Sequence, residues 1–450
     1  MSDFIRFIVD INRKIGISLP SQWTELTEIQ VAQRFLEKLN EYFFQTHEEI
    51  GTTTFNGEEL QYFSEFHKFW EANYEAILNP RIDDEQARIA AQSLVSAIGR
   101  YGSEILGLTL ETCDLAPEAI AQVRYFTANQ DFREPPENQF EKYYEDPTQF
   151  DARTIADGPA NFLRFLGMTR LSQTDKRLDY ARNAAQFLID RRISASEIAR
   201  CFNNDATQIR KALVETSNNG YGFKKANMFI RDMAELHVWP ELGNFEMIDV
   251  ASDINTMKVA LRTRILKTDI PLLSSFLDIF CYQYSCVDEM SAQAWRRVWE
   301  NCQNIEVADV LRSPCQLDYL LYRIGREYCK EIVVQYNCDE GHLFYHFGAR
   351  LRNCMVCRNT GVRSPAHPQQ RFLPCQLEST QLPRENGVLL LRDDKLLKTF
   401  DGVCIFETVC EPNSDEFRTL NAPQSISIKG QTGWTKSYAY RGRGGGGMMG

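Results

Sequence analysis

A short turn with two glycines, lying between two helical patterns, constrains this chain more than any other feature. Residues 220–227 read GYGFKKAN, with Gly220 and Gly222 separated by one residue. Glycine has no Cβ, so such a turn can be tight and leaves its amide groups unshielded. The helix that follows adds the positive end of its dipole, and this combination binds phosphate. The sequence therefore predicts two helices joined by a phosphate-binding turn.

Helical patterns flank the turn on both sides. Before it, Asp205 is a good N-cap for a segment that places Ile209 and Leu213 on one face. After it, apolar residues recur at helical spacing over residues 226–236, and the pattern stops before Pro240. We therefore expect one helix to end before Gly220 and another to begin after Gly222.

The turn and a later aspartate segment together resemble the helix-hairpin-helix DNA glycosylases. The hairpin of that family reads G-x-G-x-K-x-A, which Gly220, Gly222, Lys224 and Ala226 match. The later family signature reads D-x-H-x-x-R-V-x-x-R, and its fixed positions fall with the same spacing on Asp253, Asn255, Lys258, Val259 and Arg262. Asparagine replaces histidine at 255 and lysine replaces arginine at 258. The resemblance covers roughly residues 160–335, and its spacing is closest to the archaeal 8-oxoguanine glycosylase branch.

The resemblance implies that Asp253 and Lys224 are catalytic. A carboxylate near C1′ stabilises the positive charge that develops on the sugar while the N-glycosidic bond breaks. A lysine amine can attack the same carbon and form a Schiff base, which adds lyase activity. Two alternatives stay open: Lys224 is a phosphate contact only, or Asp253 is an ordinary N-cap with Asp249 as the rival carboxylate.

The same resemblance implies a nucleic-acid contact surface around the hairpin. The helical repeat turns Lys225 about 100° away from Lys224, so we expect Lys225 to meet phosphate or solvent. The contact residues implied by the two signatures are Gly220, Gly222, Lys225, Lys258 and Arg262.

Four hypotheses about function follow. The first is a glycosylase that flips a modified base out of double-stranded DNA and excises it, with a bulky hypermodified phage base as substrate in antiviral defence. The second is an 8-oxoguanine repair glycosylase with lyase activity. The third is a queuosine-type nucleotide N-glycosidase, and the fourth is a noncatalytic nucleic-acid-binding protein.

The formal net charge of -11 argues against broad, nonspecific binding of nucleic acid over the whole surface, because neutralising phosphates needs clustered Lys and Arg.

A cysteine-rich segment predicts a structural zinc site. Cys354 and Cys357 form a C-x-x-C pair, and we prefer a ligand set completed by Cys338 and Cys375. His342 and His367 are neighbouring candidates for the remaining positions. The closely spaced four cysteines of a family iron-sulfur cluster are absent, so no such cluster and no organic cofactor is expected. Reduced cysteines without metal are the alternative.

These patterns predict a mainly α protein with a helix-hairpin-helix glycosylase core. We divide the chain into an N-terminal helical domain (1–128, with helices over 31–44 and 87–98), an acidic connector (129–159), the glycosylase-like domain (160–335), a cysteine-rich, partly β region (336–435, with strands over 387–392 and 402–407) and a flexible Gly-rich tail (436–450). Neither a run of about 18 apolar residues nor a signal peptide is evident, which predicts a cytoplasmic, prokaryotic protein without a membrane partner.

Overall fold

The structure is a computed structural model, and most of the chain's central part is described. The described residues are 51–55, 58–62, 78–107, 114–130, 137–168, 174–268, 285–305, 310–327, 329, 333–347, 353–354, 357, 360–373 and 404–410. The predicted helix over 31–44, the predicted strand over 387–392 and the predicted tail lie outside them.

Helices dominate the described residues and hold 66% of them, which confirms the predicted mainly α class. None of these helices combines the length and the apolarity that crossing a bilayer requires. The α-helices are α1 (Asp84–Tyr101), α2 (Pro117–Ala128), α3 (Glu137–Glu145), α4 (Ala152–Asp157), α5 (Pro159–Phe165), α6 (Thr174–Arg191), α7 (Ile198–Cys201), α8 (Ala206–Glu215), α9 (Phe223–Glu235), α10 (Ile254–Arg262), α11 (Ser285–Gln303), α12 (Asp318–Glu327) and α13 (Glu407–Cys410).

Within the described residues, three small antiparallel sheets accompany the helices. The strands are β1 (Gly51–Phe55), β2 (Glu58–Tyr62), β3 (Arg81–Ile82), β4 (Leu266–Lys267), β5 (Val333–Cys338), β6 (Leu343–Phe347) and β7 (Ala366–Leu373). Strands β1 and β2 form a hairpin, so the region predicted as a helical N-terminal domain also contains β structure. Strand β5 lies between β6 and β7 in a three-stranded sheet.

The chain folds as two compact units, each built from separate segments. The first, which we call the hairpin unit, comprises the described residues within Ser103–Ser252 and Glu306–Leu320. Its core is aromatic: Tyr125 stacks on Tyr221 with ring centroids 5.6 Å apart, and Phe229 meets Trp239 edge-on at 5.3 Å. The segment predicted as an acidic connector belongs to this unit, where it forms α3 and α4 and buries Phe150 in the core. The described residues of this segment, 129–130 and 137–159, are therefore folded structure rather than a linker.

A buried ionic network also stabilises the hairpin unit. Asp232 of α9 accepts hydrogen bonds from Arg124 of α2 at 2.5 Å and from its neighbour Arg231 at 2.6 Å, and Arg231 also pairs with Asp318. All four side chains are buried. Two positive and two negative charges compensate one another here, which a buried site requires.

The second unit, which we call the cysteine unit, comprises the described residues within Met1–Gly102, Asp253–Ile305 and Leu321–Tyr440. Helices α1 and α11 pack together, and α10 packs against α11, where Trp295 donates to the carbonyl of Thr256 at 3.3 Å. The predicted helix over 87–98 is confirmed by α1.

The predicted strand over 402–407 is wrong for the described residues 404–407. Residues 405–406 form a turn and Glu407 begins α13. The physical reason is packing: the buried residues Phe406, Val409 and Cys410 recur at helical spacing, and Phe406 lies 5.9 Å from Trp295.

Candidate functional site

The two-glycine turn joins α8 and α9, as predicted. The side chain of Asp205 caps α8 by accepting the amide of Thr207 at 2.8 Å. In the turn, Asn218 and Gly220 adopt left-handed backbone conformations with φ of 52° and 80°. Asn219 fixes the turn from within, because its side chain donates to the Leu213 carbonyl at 2.7 Å and accepts the amide of Tyr221 at 2.9 Å.

Gly220 is required by space as well as by φ. A Cβ at this position would lie 2.8 Å from the ring of Tyr180 and 3.0 Å from the carbonyl oxygen of Asn129. The close approach of these groups holds the turn against α6 and the end of α2.

The first turn of α9 offers backbone amides to an anion. Gly222 occupies the N-cap and supplies no capping side chain, and the first helical hydrogen bond runs from Ala226 N to Gly222 O at 2.9 Å. The amides of Phe223 and Lys224 come before it, where a helix has no intrahelical acceptor to offer. A helix start of this kind, with its dipole, is one that can bind a phosphate group.

The two lysines of this helix start differ in their surroundings. Lys225 donates to the carbonyl of Asn129 at 2.7 Å and lies 5.7 Å from the ring centroid of Tyr180. The expectation that its amine meets phosphate or solvent is therefore corrected, since it is occupied by the hairpin's own support. Lys224 is partly buried, and within the part of the chain that the structure describes its amine forms no hydrogen bond or ion pair.

Asp253 belongs to the cysteine unit and is the N-cap of α10. One carboxylate oxygen accepts the amide of Thr256 at 2.8 Å, and the hydroxyl of Thr256 accepts the amide of Asp253 at 2.7 Å, which forms a capping box. The other carboxylate oxygen accepts the side-chain amide of Asn255 at 3.2 Å. The side chain is partly buried, so this carboxylate is held in one orientation with part of its surface open.

The remaining residues of the aspartate signature lie on α10. Lys258 is partly buried. Arg262 is only 1% exposed, a position that does not offer its guanidinium to a phosphate. Because it is buried, Arg262 does not enter the nucleic-acid interface proposed below. Asn255 packs closely against α12, since a Cβ on Gly325 would lie 2.6 Å from the Cβ of Asn255.

Four metal-ligand side chains converge in the cysteine unit. They are Cys338, His342, Cys354 and Cys357, and their ligand atoms all lie within 4.8 Å of one another. This group could hold a metal ion. Of the four predicted zinc ligands, Cys338, Cys354 and Cys357 belong to this group. The fourth, Cys375, lies outside the described residues.

Two tight turns bring these ligands together. Cys338 ends β5 and His342 immediately precedes β6, with the amide of Gly341 donating to the Cys338 carbonyl at 2.8 Å. On the other side, Cys354 is held by a hydrogen bond from its amide to the Ser364 carbonyl at 2.8 Å, and the amide of Cys357 donates to the Cys354 sulfur at 3.4 Å. Pairing of β5 with β7 completes the arrangement.

The distances match a tetrahedral ion. With Zn–S bonds of about 2.3 Å and Zn–N bonds of about 2.05 Å, a regular tetrahedron separates two sulfurs by about 3.8 Å and sulfur from nitrogen by about 3.6 Å. The sulfurs of Cys338 and Cys357 are 3.9 Å apart, and they lie 3.5 Å and 3.2 Å from Nδ1 of His342. A disulfide would need about 2.05 Å between the sulfurs. The spacing therefore suits one shared metal ion.

The electrostatics of the group favour a cation. Desolvation raises the pKa of Cys357 to about 12, and the neighbouring sulfurs of Cys354 and Cys338 add to the shift. Desolvation also opposes ionisation of Cys338, but hydrogen bonds from the backbone and ring of His342 outweigh it and lower the pKa to about 6. The group without metal thus accepts one thiolate and resists a second, and a divalent ion that binds here displaces protons.

His342 is the ligand that the preferred sequence set omitted. The sequence signal was present, since His342 follows Cys338 by four positions. What selects it is the pairing of β5 with β6, which places the ring nitrogen beside both Cys338 and Cys357.

Comparison of the chain with models of known protein families gives no match, and comparison with curated proteins gives none either.

Proposed function

We propose that this protein is a DNA glycosylase that binds double-stranded DNA through the α8–α9 hairpin and excises a modified base. The observation that carries the proposal is the start of α9, where amides without a capping side chain follow a glycine turn with φ of 80° at Gly220. A phosphate is the ligand that such a helix start prefers. Phosphate contacts of this kind position DNA without reading its sequence.

In the proposed reaction, Asp253 stabilises the charge on the sugar. Breaking an N-glycosidic bond leaves an oxocarbenium-like sugar, and a fixed carboxylate lowers the energy of that state. The capping box supports this role, because it holds the Asp253 carboxylate in place before substrate binds. Asn255 donates to the second oxygen at 3.2 Å, a long hydrogen bond that a substrate group can replace.

Lys224, which belongs to the hairpin unit, has two proposed roles. Its amine is either a phosphate contact or the nucleophile that forms a Schiff base with the sugar. Trapping with borohydride distinguishes the two, since only a Schiff base is reduced to a covalent adduct with DNA. Lys224→Gln should abolish the adduct if Lys224 is the nucleophile, whereas Lys211→Gln, at an exposed lysine of α8, serves as the control.

For the Cys3His group we propose zinc with a structural role. When bound, zinc would tie the β5–β6 turn to the segment 354–364 through Cys338, His342, Cys354 and Cys357. Four protein ligands leave no open position for a substrate, which is the arrangement typical of structural sites. The proposed base excision does not use this ion.

The decisive experiment measures abasic-site formation on a panel of DNAs. The panel contains normal duplex, 8-oxoguanine duplex and phage DNA with bulky glucosylated cytosines, incubated with the wild-type protein and with Asp253→Asn. Asparagine is as good an N-cap as aspartate, so this variant keeps the helix start and removes the charge. Asp205→Asn, at the N-cap of α8, is the matched control and should retain activity.

The result identifies the base as well as the reaction. Product from wild type and from Asp205→Asn, but not from Asp253→Asn, establishes the glycosylase, and the reactive DNA gives its substrate class. Product on 8-oxoguanine alone rules out the defence substrate. Equal activity of Asp253→Asn and wild type would refute the catalytic role of Asp253.

One observation favours a noncatalytic nucleic-acid-binding protein as the second candidate. Both carboxylate oxygens of Asp253 already have local hydrogen-bond partners, as an ordinary N-cap would. Binding of DNA by the wild type without abasic product on any substrate would select this candidate.

A further inference from the structure

Two exposed apolar residues are linked through Arg210 of α8, one at the start of α9 and one in a 3-10 turn. Phe223, the first residue of that helix, is 57% exposed, and Met247, the last residue of the 3-10 turn Phe245–Met247, is 49% exposed. Single exposed apolar residues are normal on protein surfaces, and the charged groups around these two residues distinguish them.

Arg210 of α8 contacts the ring of Phe223 and the backbone of Met247. Its guanidinium lies 5.9 Å from the ring centroid of Phe223, within the range of a cation–π contact, and it donates to the Met247 carbonyl at 3.1 Å. We call Arg210, Phe223 and Met247 the stacking patch. With Arg210 near the ring, more than half of Phe223 still remains exposed to solvent.

Further positive charge borders the stacking patch. Lys224 follows Phe223 in the chain, and Arg312 is exposed and lies 5.6 Å from the ring centroid of Phe245. The segment after Arg312 is anchored to the same turn, because the Ser313 hydroxyl donates to the Ile248 carbonyl at 3.0 Å. Glu246, which is exposed, and Asp249, which is partly buried, are the acids of the adjoining segment.

We propose that the stacking patch binds an unstacked nucleobase of the nucleic acid held by the hairpin. Phe223 provides the flat face on which the base stacks, Met247 provides an adaptable apolar edge, and Lys224, Arg312 and the amides of α9 bind the flanking phosphates. The inference rests on the proposed binding of DNA but not on base excision. A nucleic-acid strand fits this surface because an aromatic face and phosphate-binding groups occur side by side.

The test uses the full chain and oligonucleotides that carry 2-aminopurine, whose fluorescence falls when the base stacks on an aromatic ring. One probe has the 2-aminopurine unpaired within a duplex, and the other is single-stranded. We expect wild type to quench both, and Phe223→Ala to lose the quenching and bind about tenfold more weakly. Phe223→Trp should restore both. Since the Phe223 side chain is mostly exposed, these variants should fold.

Tyr144 supplies the matched control. It is 58% exposed, lies in the same unit and belongs to α3 rather than to the stacking patch. Tyr144→Ala should therefore bind and quench like wild type.

The outcomes separate this inference from the proposed enzyme activity. Unchanged affinity and quenching in Phe223→Ala overturn the stacking patch, even if wild type excises a base. Quenching that depends on Phe223 in a protein that excises no base supports the patch and removes the glycosylase. Failure of wild type to bind either probe at low salt overturns the patch, and binding of an apolar peptide at the same surface would then identify a protein partner instead.

Discussion

Replacing Gly220 by alanine should destabilise the hairpin unit more than the same change at Gly167. Both glycines lie in that unit and both have left-handed backbones, with φ of 80° at Gly220 and 77° at Gly167. They differ in the room that each position leaves for a Cβ atom. A Cβ at Gly167 would meet nothing within 4 Å, whereas a Cβ at Gly220 would lie 2.8 Å from the ring of Tyr180 and 3.0 Å from the carbonyl oxygen of Asn129.

The magnitudes follow from these two differences. A non-glycine residue in the left-handed region costs about 1–2 kcal/mol, and this cost applies at both positions. The loss of unfolded-state freedom that accompanies Gly→Ala offsets about 0.4–1 kcal/mol of it at both positions. The overpacking at Gly220 adds about 1–3 kcal/mol, because the carbonyl of Asn129 also accepts the Lys225 amine and cannot move freely. The difference between the two variants isolates the packing contribution.

The assay is urea unfolding of wild type, Gly167→Ala and Gly220→Ala, combined with hydrogen exchange of peptides that cover the hairpin. We expect the midpoint to fall further for Gly220→Ala, and exchange to accelerate in residues 216–226. Equal midpoints for the two variants would refute the argument that Tyr180 and Asn129 hold the turn. The same variant should also weaken DNA binding, since the amides of α9 follow the turn directly.

Three further predictions concern the metal group and two buried or capping carboxylates. Purified protein should contain zinc in a roughly equimolar amount, and Cys357→Ser should lose this zinc. Cys201 is an exposed cysteine of the hairpin unit, so Cys201→Ser should keep the zinc. Equal metal content of the two variants by mass spectrometry would exclude the proposed site. The Thr207 hydroxyl and other donors lower the pKa of Asp205 to about 2. The ionised cap therefore stabilises the fold above about pH 4, and its contribution is lost as the pH falls toward about 2. Asp205→Asn should reduce this acid dependence, and a stability profile between about pH 5 and 2.5 that is the same in wild type and variant would contradict the prediction. Asp232→Ala should cost about 3–5 kcal/mol by urea unfolding, because it leaves the two buried guanidinium groups of the network with one carboxylate, that of Asp318. A loss below about 1 kcal/mol would show that the network is dispensable.

Local signals in the sequence were sufficient for several features of the structure. The N-cap at Asp205, the glycine turn and the start of α9 were predicted because capping, φ and helical spacing depend on residues close together in the chain. The C-x-x-C pair likewise indicated two of the four side chains that could hold a metal ion, since the two cysteines lie three positions apart. The mainly α class followed from the same periodicity.

Contacts between distant segments decided the rest. Lys225 was expected at a phosphate, but its acceptor is the Asn129 carbonyl, 96 positions away, and no local pattern specifies that partner. The acidic composition of 129–159 suggested a linker, whereas the burial of Phe150 makes it part of a core. His342 joined the metal group through the register of β5 and β6. The sequence by itself determined the turn, its helices and the cysteine pair, because those depend on neighbouring residues. Only the tertiary structure decided which lysine stays available, which arginine is buried and which fourth ligand meets the cysteines, because burial and strand pairing are properties of the whole chain.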